Sequence, residues 1–374
     1  MNARFPEKWS GLKVVLCHDW LTGMRGGERV LDILCRAFPE APVYTLFHNP
    51  ALVSAAINSH KIVSSRLRYL PGITRIYRWL LPMFPAAVEA MDPPAADLLI
   101  STSHCVAKGL KPKAGTKHLC YCFTPMRYAW TFFDEYFGGN PVKTAAANMV
   151  LPGLRKWDAE TSKRVDRFVG ISRHVVKRIK DYYGRDADVV YPPVDTEAWT
   201  PGNCAPDSYD LLVSALVPYK RIDLAVNAYT KMGFPLKVVG SGSGMARLRA
   251  VAGANIEFLG WRADEELLEL YRSCRMLVFP GEEDFGIVPL EAQACGRPVV
   301  AYARGGALET IVEGQTGVFF QEQTEAALTE AVNRAAAVKW DPARISAHAG
   351  QFSVQNFVDG LARSIDECMD GKSR

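Results

Sequence analysis

Two glutamates eight positions apart, Glu283 and Glu291, flank the segment Phe285-Gly286-Ile287-Val288-Pro289-Leu290. The apolar run Met276 to Phe279 before them reads as a buried strand. Leu290-Glu291-Ala292-Gln293-Ala294 reads as the start of a helix. Gly286 lets backbone approach a ligand closely, and Pro289 needs no N–H in a first helical turn. The N–H groups of Phe285, Gly286, Ile287 and Val288 are then helix-start donors suited to an anion or to sugar oxygens. The separation lets each acid grip a different end of one extended ligand. Acids are also favoured as caps at helix N-termini. Capping accounts for Glu283 or Asp284, but less well for Glu291, which sits a turn further in beside apolar neighbours.

Cations stand at another strand end. Lys220 and Arg221 follow the run Leu211 to Leu216 and open a helix at Ile222. That position suits neutralisation of a diphosphate leaving group. Gly240 opens the Gly-rich turn Gly240-Ser241-Gly242-Ser243-Gly244. A dinucleotide fingerprint needs Gly at position 245, where this chain has Met245, so the turn reads as scaffolding with its amides near phosphates. In the first half, His18 and Asp19 end a strand and suit acceptor hydroxyls. Asp19 is the carboxylate at that strand end and a candidate base. Gly26-Gly27 form a tight turn, and His104 follows another strand end. Arg127 lies among aromatics, where Tyr128 and Trp130 either stack on a sugar or an isoprenoid diphosphate or form a structural cluster. Asp186-Ala187-Asp188 has the spacing of a metal-binding Asp-x-Asp but is expected to be a solvated turn. Zinc-spaced Cys/His and Ser-His-Asp patterns are not apparent.

The Glu-x7-Glu pattern resembles the motif of retaining glycosyltransferases of family 4. His18-Asp19-Trp20, Thr124 to Trp130, Val217 to Arg221 and Gly305 to Thr310 extend the resemblance over nearly the whole chain. It is nearest to bacterial mannosyltransferases that build lipid-linked O-antigen and exopolysaccharide repeats. The resemblance implies an α/β fold of two Rossmann-like doubly wound domains facing across a cleft (GT-B). It implies that Glu283 contacts donor-sugar hydroxyls, that Glu291 holds the ribose, and that Phe285, Gly286, Ile287 and Val288 offer amides to sugar and phosphate. Lys220, Glu283 and His104 become the catalytic set. Gly27, Arg221 and Gly240 join the donor site, and His18, Asp19, Arg127 and Tyr128 the acceptor site. Many relatives carry Arg where this chain has Ala215, which leaves Arg221 as the candidate second phosphate cation.

The expected donor is a nucleotide sugar, GDP-mannose first and a UDP-sugar second. The expected acceptor is a polyprenyl-diphosphate-linked glycan, with the anomeric configuration retained. Trp261 and Arg262 are candidate readers of the base. No cofactor and no metal are expected, because Lys220 stands where a metal would neutralise the diphosphate. An inactive sugar-nucleotide-binding scaffold is the non-enzymatic alternative that Ala215 permits.

The elements that must position these residues alternate strand and helix, as parallel sheets require. Strands are expected at 12–17, 43–47, 98–101, 118–122 and 168–171, then at 211–214, 236–239, 256–259, 276–279 and 299–302. The expected division is 1–195, a linker at 196–208, a nucleotide-binding domain at 209–350, and a C-terminal helix, 351–374, that returns to the first domain. The 374 residues, 48% hydrophobic and 22% charged, are those of a globular protein of two domains. No signal peptide or spanning helix is expected, and the nine scattered cysteines read as reduced core thiols of a cytoplasmic protein. Net charge is +4, but residues 1–200 hold 27 Lys+Arg against 18 Asp+Glu and residues 201–374 hold 17 against 22. No Asp or Glu lies between Glu40 and Glu89, a window with Arg66, Arg68, Arg75 and Arg78 among aromatics and leucines. The basic 61–85 region suits an anionic membrane surface, or is an ordinary solvated helix face. Nucleic acid is not an expected partner, because no nucleic-acid motif accompanies the patch.

Overall fold

Strand–helix–strand units place successive strands in parallel, and burial on both faces demands near-continuous apolar runs. The computed structural model describes residues 3–70, 72, 77–130, 141–202 and 206–371. It divides into two units: residues 3–192 with the segment from Phe357 onward, and residues 193–356. The division falls at Pro193, inside the Pro-rich stretch Tyr191 to Asp195.

The N-terminal unit holds a seven-stranded sheet of order β3-β2-β1-β4-β5-β6-β7. Its strands are β1 (Val14–His18), β2 (Val43–Thr45), β3 (Ile62–Ser64), β4 (Leu98–Ser103), β5 (Lys117–Cys122), β6 (Arg167–Gly170) and β7 (Ala187–Val189). Pairing is parallel throughout, with His18 opposite Thr102 between β1 and β4. Chain order runs outward from β1 one way and from β4 the other. The carboxyl ends of β1 and β4 therefore flank a topological switch point, where connections leave in opposite directions and open a crevice.

The second unit repeats this plan with six strands, order β10-β9-β8-β11-β12-β13. They are β8 (Asp210–Val213), β9 (Leu236–Val239), β10 (Ile256–Gly260), β11 (Leu277–Phe279), β12 (Val299–Tyr302) and β13 (Gly317–Phe320). All pair in parallel, and its switch point lies between β8 and β11. Both units are thus doubly wound Rossmann-like sheets, as the alternating pattern implies. The helix Val354–Met369 packs its apolar stripe into the N-terminal unit. Phe357, Leu361 and Ile365 are buried there, and Phe357 meets Tyr121 edge to face at 5.6 Å.

Three strands escape the sequence pattern: β3, β7 and β13. Each is a short edge strand, and β3 and β7 are only half-buried. Asp186-Ala187-Asp188 is accordingly not a solvated turn. It runs into β7, where Asp188 pairs with buried Arg167 (2.6 Å) and Asp186 pairs with Lys180 (2.8 Å). The eight described cysteines are all free and buried.

One buried polar cluster fixes the N-terminal core. Lys108 pairs with Asp158, both almost fully buried. The Asp158 carboxylate also accepts from Trp130 Nε1 (2.8 Å) and Tyr183 Oη (2.7 Å). The Lys108 ammonium lies 5.4 and 5.1 Å from the ring centres of Trp157 and Tyr183. Trp130 stacks on Tyr182 at 4.6 Å. Trp130 therefore belongs to this structural cluster, with both ring and N–H committed, rather than to a sugar platform. Removing one member leaves its partner charged and buried, which costs more than the pair is worth. Asp158→Ala is expected to lower stability by about 3–5 kcal/mol in urea unfolding followed by tryptophan fluorescence. The double change Lys108→Met/Asp158→Leu should recover most of that loss. Equal loss in the double variant would mean that packing volume, not charge, is what Asp158 supplies.

Candidate functional site

Each switch point gathers its own set of functional side chains. In the second unit, β8 leads through Ser214 to Leu216 into the turn Pro218–Lys220 and the helix Ile222–Met232. From β11 the chain leads through Pro280-Gly281 into Glu283, then into the helix Ile287–Ala294. Glycine brings these segments together. A Cβ on Gly281 would lie 2.8 Å from the Lys220 backbone, and Cβ atoms on Gly305 and Gly306 would overlap the backbone of Glu283 and Phe285. The amide of Gly306 also donates to the Glu283 carbonyl at 2.8 Å. Three strand-end loops are therefore locked backbone to backbone, and the side chains they carry are positioned by main chain.

Lys220 and Glu283 meet directly as an ion pair, both largely buried. Lys220 Nζ also lies 5.4 Å from the ring centre of Tyr219. Arg221 adopts the left-handed conformation (φ 52°), the one non-glycine with positive φ among the described residues. Its guanidinium is held by Gln323 Oε1 (3.1 Å) and Asp223 (3.4 Å), and Gln323 in turn donates to the Pro280 carbonyl (2.9 Å). Gly286 is the N-cap of the second helix (φ 97°), a conformation that glycine adopts without strain. Ile287 and Val288 begin the helix, so their amides have no partner within it. Phe285 is buried beside Phe352, ring centres 5.9 Å apart.

Glu291 is only 5% exposed and accepts a hydrogen bond from Tyr271 Oη at 3.0 Å. Burial, then the Glu291 charge, pushes the Tyr271 phenol up, so it stays a neutral donor. Tyr271 has no sequence signal of its own. It reads as one apolar position of an amphipathic helix, Asp264–Ser273. Trp261, at the end of β10, is 74% exposed.

Gly240 takes a different role from the one expected. Its amide donates to the Gly260 carbonyl at 2.7 Å, and its Cβ would overlap the Ser214 carbonyl. Its φ of 129° adds a second reason for glycine. The amide is committed to the fold, so Gly240 is scaffolding for the β8 exit rather than a donor to phosphate.

In the N-terminal unit the switch point brings together His18, Asp19, Gly27 and His104. His18 is buried, with Nδ1 2.7 Å from Thr102 Oγ1, and burial lowers its pKa against the opposing pull of Glu28 and Asp19. A Cβ on Gly27 would stand 3.2 Å from Phe123 and 3.4 Å from His18, so that turn fits closely against both rings. Asp19 is 1% exposed. Its carboxylate accepts from four successive amides, His104 (2.6 Å), Cys105 (3.0 Å), Val106 (2.6 Å) and Ala107 (2.7 Å). His104 Nδ1 lies 3.0 Å from the same carboxylate. Burial alone would raise the Asp19 pKa. The charge and hydrogen bonds of His104, with His18 behind them, outweigh it and hold the group well below the usual carboxylate range. A buried, fully occupied, weakly basic carboxylate cannot serve as a base or bind an acceptor hydroxyl. Asp19 is an anchor.

Arg127 and Tyr128 lie apart from that set, on the short helix Arg127–Trp130. Both are half-buried, and Tyr128 packs against the N-terminal core.

Residues 206–351 match the family described as glycosyl transferases group 1. D-inositol 3-phosphate glycosyltransferases of Rhodococcus erythropolis and Geodermatophilus obscurus are 32% and 34% identical over 234 and 231 residues. These alignments take in 53% and 52% of this chain and 53% and 51% of those proteins, so the chain spans about half the length of the curated relatives it matches. Among solved structures, the sucrose-phosphate synthase of Thermosynechococcus elongatus superposes with a TM-score of 0.72 at 16% identity, over 96% of this chain and 100% of that one. Anabaena HepE in complex with UDP and glucose does so with 0.68 at 17%, over 95% and 99%. The lipopolysaccharide outer core galactosyltransferase WaaB gives 0.67 at 17%, over 95% and 99%. The chain therefore has the GT-B fold, and the segment that matches the group 1 glycosyl transferases is the one that carries Lys220, Glu283 and Glu291.

Proposed function

We propose that this protein is a retaining glycosyltransferase that moves a hexose from a nucleoside-diphosphate sugar to a hydroxyl acceptor. The observation that carries the reading is the Lys220–Glu283 pair beside the N-terminus of the helix that bears Glu291. One cation, one hydroxyl-binding acid, open helix-start amides and a buried ribose-sized acceptor group are what a sugar nucleotide needs along its length. The match to group 1 glycosyl transferases over residues 206–351 supports the same reading.

In this reading Glu283 binds donor-sugar hydroxyls and steadies the Lys220 ammonium, which neutralises the departing diphosphate. Glu291, oriented by Tyr271, takes the ribose hydroxyls. The bond from the anomeric carbon to the phosphate oxygen breaks, and a bond from the acceptor oxygen forms on the same face. The acceptor proton passes to the leaving diphosphate. The commitment of Asp19 to backbone favours that route over a protein base at this strand end. Catalysis then rests on positioning and on preorganised charge. GDP-mannose is the first donor by motif resemblance, with a polyprenyl-diphosphate-linked glycan as acceptor. HepE in complex with UDP and glucose favours a UDP-hexose as the second. Exposed Trp261 is the proposed base-stacking side chain for either.

The basic 61–85 region supports a peripheral contact with anionic membrane. Arg66, Arg68, Tyr69 and Leu70 are exposed, Tyr69 by 72%, and Arg68 lies over the Tyr69 ring at 4.7 Å. Arg75 and the side chain of Arg78 lie outside the described residues. Among those described, no helix is long and apolar enough to cross a membrane.

Three outcomes test these statements. Glu291→Ala is expected to weaken nucleotide binding by about 1.5–3 kcal/mol, or about 10- to 150-fold, in calorimetry against GDP and UDP. Tyr271→Phe should weaken it by about 1 kcal/mol. Unchanged affinity in Glu291→Ala would remove the ribose assignment. Lys220→Ala should lower turnover by about two orders of magnitude. Wild-type turnover should survive EDTA, and a strict need for magnesium or manganese would sink the metal-free route. Arg66→Glu/Arg68→Glu should lose co-sedimentation with vesicles containing anionic lipid, with each arginine contributing on the order of 1 kcal/mol. Sedimentation equal to wild type would mean that these arginines are only a solvated face.

A further inference from the structure

Asp19 does more than hold a loop. Four amide bonds anchor residues 104–107, and a fifth contact, to His104 Nδ1, adds nothing to that anchoring but fixes the ring. Trp20 closes on the ring edge to face, with centres 4.5 Å apart, so the imidazole plane is set from a second side. An acceptor-only carboxylate facing Nδ1 permits one neutral arrangement. Nδ1 carries the proton and donates it to Asp19, and Nε2 carries the lone pair. Among the described residues Nε2 makes no hydrogen bond, while the side chain is 28% exposed. The neighbouring rings, His18 and Phe123, stand at centre distances of 6.3 and 6.4 Å and leave that nitrogen uncommitted.

We propose that Asp19 is a positioning residue that locks His104 in the Nδ1–H tautomer, so that Nε2 is offered as a hydrogen-bond acceptor to a hydroxyl of the sugar substrate. The inference rests on the glycosyltransferase reading for the identity of that ligand. The chemistry is selective. A neutral Nε2 lone pair accepts from a hydroxyl but repels a phosphate oxygen, so this histidine separates the sugar end of a substrate from its anionic end. A histidine free to choose its tautomer would bind either.

The test begins with the intact wild-type chain labelled with nitrogen-15 in histidine, at alkaline pH where imidazoles are neutral. His104 is assigned by the signal lost in His104→Asn. The expected spectrum has His104 protonated at Nδ1, with Nε2 bare. An Nε2–H pattern overturns the proposal whatever the activity. Turnover then separates the ring's two ends. Asn keeps a group at the Nδ1 position for Asp19 but nothing at Nε2, whereas Gln reaches the Nε2 position with a carbonyl. His104→Asn is expected to lose about tenfold or more in kcat/KM, the scale of one missing hydrogen bond, and His104→Gln distinctly less. An Asn variant as active as wild type overturns the sugar contact. Asp19→Asn, if folded by circular dichroism, should release the tautomer toward Nε2–H. If it does not fold, the wild-type spectrum still decides. A wild-type chain that turns over no nucleotide hexose at all would overturn the function itself, which the tautomer measurement does not depend on.

Discussion

Reversal of strand order is the constraint from which the functional geometry follows. A parallel sheet built outward from two adjacent central strands sends its connections to opposite faces. The carboxyl ends of those two strands are left uncovered. In the N-terminal unit the pair is β1 and β4, and their ends carry His18, Asp19 and His104. In the second unit the pair is β8 and β11, and their ends lead to Lys220 and Glu283. Residues 85 apart in sequence meet because His18 and Thr102 are register partners. No local property of either segment would bring them together.

Uncovered strand ends are not yet a site, because loops there must be held still. The two units solve this differently. The second uses glycine: Gly281, Gly305 and Gly306 let main chain lie against main chain, so the Lys220 and Glu283 loops share a rigid wall. The N-terminal unit uses a charge. One buried carboxylate, Asp19, collects four amides of a turn that has no sheet or helix partner for them. Buried N–H groups left unpaired would each cost about 1–3 kcal/mol. The ionised state is tied to those bonds and to the histidine beside it. The side chain expected to act as a base is thereby the least basic carboxylate available.

Legibility in the sequence followed the range of the interaction. Long apolar runs gave the central strands β1, β4, β5, β8, β9, β11 and β12 to within two residues, because burial on both faces leaves a strong pattern. The edge strands β3 and β7 carry three half-buried residues each, and nothing local separates them from loops. Glu283, Glu291 and Lys220 were legible because strand, turn and helix start are contiguous there. Tyr271, which orients Glu291 from another helix, was not, since a tyrosine at an apolar helical position looks like packing. Asp19 and Gly240 were legible as special but not for their actual roles. Both depend on partners far away in sequence, Ala107 and Gly260 among them. Trp130 was undecided between ligand and core until Asp158 was seen to take its N–H.

The family match stops where the shared chemistry stops. Residues 206–351 carry the cation, the two acids and the helix start, and any nucleoside-diphosphate sugar presents the same diphosphate and ribose to such a set. Those parts of the ligand fix residue types and spacing tightly, so sequence likeness persists across proteins of different specificity. The N-terminal unit keeps the fold but meets no such uniform demand. Its polar centre, built from His18, Asp19, Thr102 and His104, is held by register and burial rather than by a contiguous motif. A site made that way can change its ligand by exchanging one or two strand-end side chains without disturbing the sheet. The N-terminal strand ends are therefore the part of this chain where substrate identity can diverge at least cost to folding.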